Sequence, residues 1–233
     1  MVDLSGEIAD LWASLGAPGG AGARVIQLVA AREGEGASTV ARELAHFAAR
    51  RAGRSVWLID LDILAGAQFL ALSQQSARYG ALGEAAAASP DGSIFYTIRP
   101  PGTNPDGTAM PDARYLSAHR VGDARWWVTR FRTDALVAGQ NLHILPREEY
   151  WSTLKRHADL IIVDAPPMER SSAALTVAPY VDQTVLVVSA DQADISAPAR
   201  LRDRLVEAGG VVAGLFLNRM GASPSGSTKP DRR

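Results

Sequence analysis

Short apolar runs recur along this chain, separated by segments whose apolar residues return every three to four positions. Val25, Ile26, Leu28 and Val29 form the first run, and Val56, Trp57, Leu58 and Ile59 the second, over 55–60, closing on Asp60-Leu61-Asp62. Residues 141–145, 160–163, 184–189 and 211–217 read as further strands; 160–163 closes on Asp164-Ala165-Pro166-Pro167 and 211–217 on Asn218-Arg219. Runs that stay apolar without alternating suit strands covered on both faces, the habit of parallel sheets. Between them, Val40, Leu44, Ala45 and Ala48 share a helical face, residues 64–89 predict an Ala-rich helix, and 173–178 and 198–208 predict two more, the last stopped by Gly209-Gly210. Strands alternating with helices predict an α/β fold with a doubly wound, mostly parallel sheet and helices on both faces. Ahead of this domain, Leu4, Ile8, Leu11, Trp12 and Leu15 mark an amphipathic helix over 4–15, with Ser5 as its cap. That helix packs on the domain edge, with a second subunit as the alternative. The plan is a helix and Pro/Gly linker over 1–22, the α/β domain over 23–220 with an irregular insert at about 93–132, and a Ser/Pro/Gly-rich tail over 221–233 predicted to be disordered.

The turn after the first strand holds the candidate chemistry: Arg32-Glu33-Gly34-Glu35-Gly36-Ala37-Ser38-Thr39. Two glycines let main-chain N–H groups approach phosphate oxygens, the helix start adds partial positive charge, and a hydroxyl can reach Mg²⁺. Against the P-loop (Walker A) pattern G-x-x-x-x-G-K-[ST], Ala31 stands where the first Gly belongs and Ala37 where the Lys belongs. The lysine is the β/γ-phosphate cation, so this degenerate loop predicts weak binding of ATP or ADP and poor catalysis. An ordinary Gly-containing turn is the alternative on these residues alone. Asp60 and Asp62, at the carboxyl end of a strand beside the loop, could hold Mg²⁺ and polarise an attacking hydroxyl, or one could merely cap the next helix.

Composition narrows the field. The chain has 233 residues and a net charge of −1, enough for one sizeable core and no global attraction to nucleic acid. It has no cysteine, which removes disulfides, thiol nucleophiles and thiolate metal sites. Its four histidines show no metal-ligand spacing, and His46, within a helix, is read as structural. No apolar run approaches a membrane span and no signal peptide opens the chain, which predicts a cytoplasmic protein, at the inner membrane only through a partner. Of its 24 basic residues only Lys155 and Lys229 are lysines, yet Arg-for-Lys drift would place Arg, not Ala, at position 37. In the proline-containing stretch 93–132, Trp126-Trp127 among Arg125, Arg130 and Arg132 admits a nucleic-acid reading. A strand or loop with a solvated charged edge is preferred, and no nucleic-acid partner is expected.

Four phrases taken in order resemble the bacterial tyrosine kinases (BY-kinases) of capsule and exopolysaccharide synthesis: Arg32 to Ala45, Val56 to Asp62, Ala158 to Pro167, and Leu217-Asn218-Arg219. The family phrases are roughly SPGEGKST, VLLIDxDxR and YDxVIIDxPP, and the resemblance covers about 24–72 and 141–219. The family lies within the wider P-loop NTPase-like group of chromosome-partitioning and septum-positioning (ParA/MinD-like) ATPases. The Asp-Ala-Pro-Pro phrase favours the kinase branch, and Arg32 stands where the partitioning branch carries its signature lysine. The resemblance implies that Ser38 holds Mg²⁺, Thr39 meets the α-phosphate, Gly34 and Gly36 form the cradle, Asp60 and Asp164 are metal carboxylates, Asp62 assists the attacking hydroxyl, and Asn218 contacts adenine. Four features depart from the family: Ala37 for the lysine, no tyrosine after Tyr180 where the family has its autophosphorylated cluster, Glu7-x-x-Asp10-x-x-Ala13 for the ring-forming Glu-x-x-Arg-x-x-Arg, and 147–151 for a Pro-rich segment. Together they imply a pseudokinase, inactive or weak, working with a membrane polysaccharide co-polymerase (a Wzz-type chain-length protein), with a homo-oligomer as a further expectation. The alternatives are an active autokinase using Arg32 as substitute cation, a ParA/MinD-type positioning ATPase, and a nucleotide-free scaffold. Losing the lysine contact costs about 1.5–3 kcal/mol, or roughly ten- to hundredfold in affinity.

Overall fold

A computed structural model describes residues 4–16, 22–104, 106–191, 194 and 196–219. The linker 17–21 and the tail 220–233, and the expectations attached to them, lie outside the described residues. The central apolar run forms β1 (Arg24–Ala30), buried along nearly its whole length. Its odd positions Val25 and Val29 enter one apolar cluster and its even positions Ile26, Leu28 and Ala30 enter another on the opposite face. This double burial explains why the run does not alternate. The chain continues through α2 (Ala37–Ala49), β2 (Val56–Asp60), β8 (Leu160–Asp164), β9 (Gln183–Ser189) and β10 (Val212–Asn218), near the expected bounds. Ahead of them lies α1 (Ser5–Leu15), which packs Trp12 edge-on against Phe47 of α2 at 5.9 Å between ring centroids. Leu4, not Ser5, occupies its N-cap position, and no side chain caps it there. The expected helices 173–178 and 198–208 are α6 (Ala173–Val177) and α7 (Ser196–Glu207), and α5 (Glu148–His157) was not foreseen.

Two expectations fail. Residues 64–89 are not one helix: they form α3 (Ala67–Gln74), the single turn α4 (Ser76–Tyr79) and then β3 (Leu82–Ala87). Gly80 stops the helix at φ +95°, and a Cβ there would come within 2.4 Å of the Gly122 Cα. This close approach lets β3 pair antiparallel with β5 (Leu116–Val121), so sheet pairing overrides the alanines' helix propensity. Nor is 93–132 irregular: it holds β4 (Tyr96–Arg99), β5 and β6 (Trp126–Phe131). Within β6 the adjacent tryptophans take opposite faces. Trp126 is fully buried and stacks on His46, whose imidazole burial pushes to a lower pKa, while Trp127 stacks on Trp57 at 5.8 Å. Both rings stack on aromatic neighbours within the fold. The run 141–145 is β7 (Asn141–Ile144), and it pairs only with β4 in a separate two-stranded antiparallel sheet.

The main sheet has eight strands in the order β10-β9-β1-β8-β2-β6-β5-β3, parallel from β10 to β6 and antiparallel at β5 and β3. The helices α1, α2 and α3 contribute to the apolar cluster on one face, and α5, α6 and α7 to that on the other. The doubly wound α/β expectation is therefore met. Because β8 lies between β1 and β2, the carboxyl ends of the three strands meet on one rim, where open α/β sheets bind ligands.

The Gly80–Gly122 contact separates conformational strain from collision. Gly92 also has a positive φ, +76°, but open space around it, so Gly92→Ala should cost only ~1–2 kcal/mol. Gly80→Ala should cost a further ~1–3 kcal/mol through overpacking, read as the difference between the two urea-unfolding midpoints at equal slope.

Candidate functional site

The turn from β1 into α2 is shaped by contacts that reach across the molecule. Gly36, at φ +97°, is the N-cap of α2, and a Cβ there would lie 2.1 Å from the Asn218 Nδ2. That amide donates to the Glu35 carbonyl at 2.9 Å, and its Oδ1 accepts from the Arg219 N–H, also at 2.9 Å. Asn218 thus clamps the loop through the main chain, with neither polar end left uncommitted. Glu35, buried, accepts the Arg32 N–H at 2.8 Å and closes the turn. Arg32, Gly34, Gly36, Ala37, Ser38, Thr39 and Asp62 all line one cleft of about 390 Å³, above the start of α2. The first-turn N–H groups of a helix face such a cleft without intrahelical partners.

Beneath the cleft lie the other two predicted carboxylates. Asp60 and Asp164 end β2 and β8 in direct register, and both are buried. Asp60 accepts the Asp62 and Gln68 N–H groups at 3.0 Å each. The side chain of Gln68, fully buried, joins the parts: its Nε2 donates to Asp164 Oδ2 at 2.6 Å and to the Ser38 carbonyl at 2.8 Å, and its Oε1 accepts from Arg42 at 2.9 Å. Burial, and then the charge of Asp164, hold the Asp60 carboxyl well above the usual carboxylate range. Burial pushes Asp164 up to about 6, against the opposing pull of the Gln68 amide and the Ser38 hydroxyl. Asp62 is more open and is hydrogen-bonded by the Arg170 guanidinium. It also borders a second cavity of about 390 Å³, with His143, Ser171, Ser172 and Thr176.

The structure therefore gathers every predicted site residue at one end of the sheet. It alters two roles. Asn218 acts on the loop rather than lining the cleft, and the Arg32 guanidinium is paired with Asp194 at 2.5 Å. Sequence reasoning passed over Gln68 and Arg170. A continuous helix over 64–89 hid the first, and the second carried only the signal of a cation three residues beyond Pro166-Pro167. The residues fit a nucleotide with Mg²⁺ on one specific count: Asp164 Oδ1 is buried with no hydrogen-bond partner, beside the second buried carboxyl of Asp60. Among the described residues no group of three or more His, Cys, Asp or Glu side chains forms a metal cage. Ser38, Asp60 and Asp164 would therefore share the ion with phosphate oxygens and water, as is usual for Mg²⁺.

The architecture is that of P-loop α/β domains, and similarity to solved structures agrees. The kinase domain of Escherichia coli tyrosine kinase ETK superposes with a TM-score of 0.56 at 17% identity, covering 93% of this chain and 76% of that one. The chimerical protein CapA2B2 gives 0.57 at 16%, covering 93% and 84%. The septum site-determining protein MinD from Pyrococcus horikoshii OT3, complexed with Mg-ADP, gives 0.56 at 18%, covering 87% and 72%. At these identities the likeness establishes a shared fold. No family model matches the chain. No curated protein matches it significantly. Among the described residues no helix is long and apolar enough to cross a membrane.

The buried acid pair has a measurable consequence. Asp164 keeps its proton to about pH 6 when folded but only to about 3.8 when unfolded, so the unfolded chain binds fewer protons between these values. Stability therefore falls as pH rises through that window, by up to ~3 kcal/mol. Asp164→Asn keeps an acceptor for Gln68 and removes the titration. Urea unfolding from pH 4 to 7 should show the variant gaining on the wild type as pH rises.

Proposed function

We propose that the chain is a nucleotide-binding, catalytically impaired regulator of the BY-kinase type, acting in capsule or exopolysaccharide synthesis with a membrane polysaccharide co-polymerase. The observation that carries this reading lies in one cleft. The turn of Gly34 and Gly36 stands over a buried acid pair, while the position of the phosphate lysine holds Ala37. Among the cleft-lining residues, Arg32, Arg170 and Arg219 stand against Glu33, Glu35 and Asp62, so the lining charges cancel. A polyphosphate meets hydrogen-bond donors there without a net attractive field. That combination supports weak binding and poor phosphoryl transfer, which depends on positive charge at the transferred group. The polysaccharide setting and the membrane partner are supported by the ordered motif phrases and by a fold shared with tyrosine kinase domains. The pairing of Arg32 with Asp194 counts against an active autokinase that relies on Arg32. A positioning ATPase remains as a second reading because MinD shares the fold equally well.

Titration with ATP and Mg²⁺ tests the central claim. The wild type should bind weakly and Ala37→Lys roughly ten- to hundredfold more tightly. Mass spectrometry after incubation with ATP and Mg²⁺ should find no phosphotyrosine on the wild type, and gel filtration should be unchanged by ATP. Robust phosphate incorporation would overturn the impaired reading. ATP-dependent dimerisation would favour the positioning ATPase, and failure of both variants to bind would remove nucleotide from the account.

A further inference from the structure

We propose that Arg170 is the phosphate-binding cation of this cleft, supplying from the opposite wall the charge that a P-loop lysine supplies from position 37. The inference rests on the nucleotide-binding reading above and names the residue that makes it workable.

Arg170 is placed by main-chain bonds. Its own N–H and that of Ser171 both donate to the Pro167 carbonyl, at 2.9 and 3.1 Å, making a tight turn just beyond β8. The same turn is tied to the end of β1 through Met168 N–H on the Ala30 carbonyl at 3.0 Å and Glu169 N–H on the Ala31 carbonyl at 3.3 Å. The segment carrying Arg170 is thus fastened to the strand that feeds the glycine loop, and the two walls of the cleft hold a fixed relation. From there the guanidinium bonds Asp62 and lies 3.9 Å from Glu33, both lining residues of the cleft, with its side chain 43% exposed.

The other arginines at the cleft are committed elsewhere. Arg32 pairs with Asp194, which does not line the cleft. Arg219 lies 3.9 Å from Asp191, also outside the lining. Arg42 is bonded to Gln68 under the floor. Arg170 alone of the three lining arginines has its ionic partners inside the cleft, so a phosphate entering there competes for it directly. A planar guanidinium with five donors can bridge two phosphate oxygens, or one phosphate and Asp62, which an ammonium cannot match in geometry.

The experiment is equilibrium titration of the full chain with ATP, ADP and AMP in the presence of Mg²⁺, for wild type, Arg170→Ala, Arg32→Ala, Ala37→Lys and the Ala37→Lys/Arg170→Ala double variant. Arg170→Ala should lose roughly ten- to hundredfold in ATP affinity with AMP affected far less, since AMP carries no β- or γ-phosphate. Arg32→Ala, whose guanidinium is paired outside the lining, should lose less ATP affinity than Arg170→Ala, and the double variant should recover wild-type ATP affinity. If wild type binds and Arg170→Ala binds equally well, or weakens for AMP as much as for ATP, Arg170 is not the phosphate cation and the nucleotide reading stands. Arg170 is excluded in the same way if wild type fails to bind while Ala37→Lys binds. If neither binds, the nucleotide reading itself falls. Arg170→Gln carries the same test should the alanine variant not fold.

Discussion

Two carboxylates share one buried spot at the centre of this molecule, and the rest of the site is arranged around making that tolerable. Asp60 and Asp164 are neighbours because β8 lies between β1 and β2 with its last residue in register with the last residue of β2. Like charges in a low-dielectric interior cannot both ionise cheaply, so their carboxyls hold protons to higher pH than usual. The protein answers with donors rather than with a lysine. Gln68 brings its amide between Asp164 and the loop, its main-chain N–H goes to Asp60, and Arg42 braces the far end of the same amide. The phosphate loop, the acid pair and the start of α3 are thereby locked through one side chain.

That lock explains why the loop keeps its shape without the lysine. The cradle depends on main-chain geometry at Gly36, on the Asn218 amide against the Glu35 carbonyl, and on Glu35 closing the turn at Arg32. None of these contacts involves position 37, which is buried as alanine against the α2 side of the core. Shape and charge are separable properties in this site. The sequence has changed the second without disturbing the first.

The same separation governs what could be read before the structure. Strands β1, β2, β8 and β9 were legible because they are buried on both faces, and a run such as Val25–Val29 has no other stable use. The rim and its carboxylates followed, since a carboxylate closing such a strand has few places to be. The stretch 64–89 was not legible, because alanine favours a helix locally while the pairing of β3 with β5 is decided by Gly80 and Gly122, far apart in sequence. The facing of Trp126 and Trp127 was not legible for a related reason: two adjacent aromatics carry no sign of which face each takes until the neighbouring strand is known. Gln68 and Arg170 escaped because their roles come from a helix start and a turn whose positions depend on those long-range pairings.

The ion pair between Arg170 and Asp62 ties binding to chemistry in this cleft. In a phosphoryl-transfer site a carboxylate at the position of Asp62 serves best when it faces the attacking hydroxyl, and a cation serves best when it faces the transferred phosphate. Here each neutralises the other, and Asp62 also borders the second cavity. On the proposed reading a phosphate would share the Arg170 guanidinium with Asp62 and weaken that ion pair. A lysine at position 37 would leave both groups at liberty at once. Without it, on the proposed reading, one guanidinium is divided between a bound nucleotide and the cleft's own carboxylate.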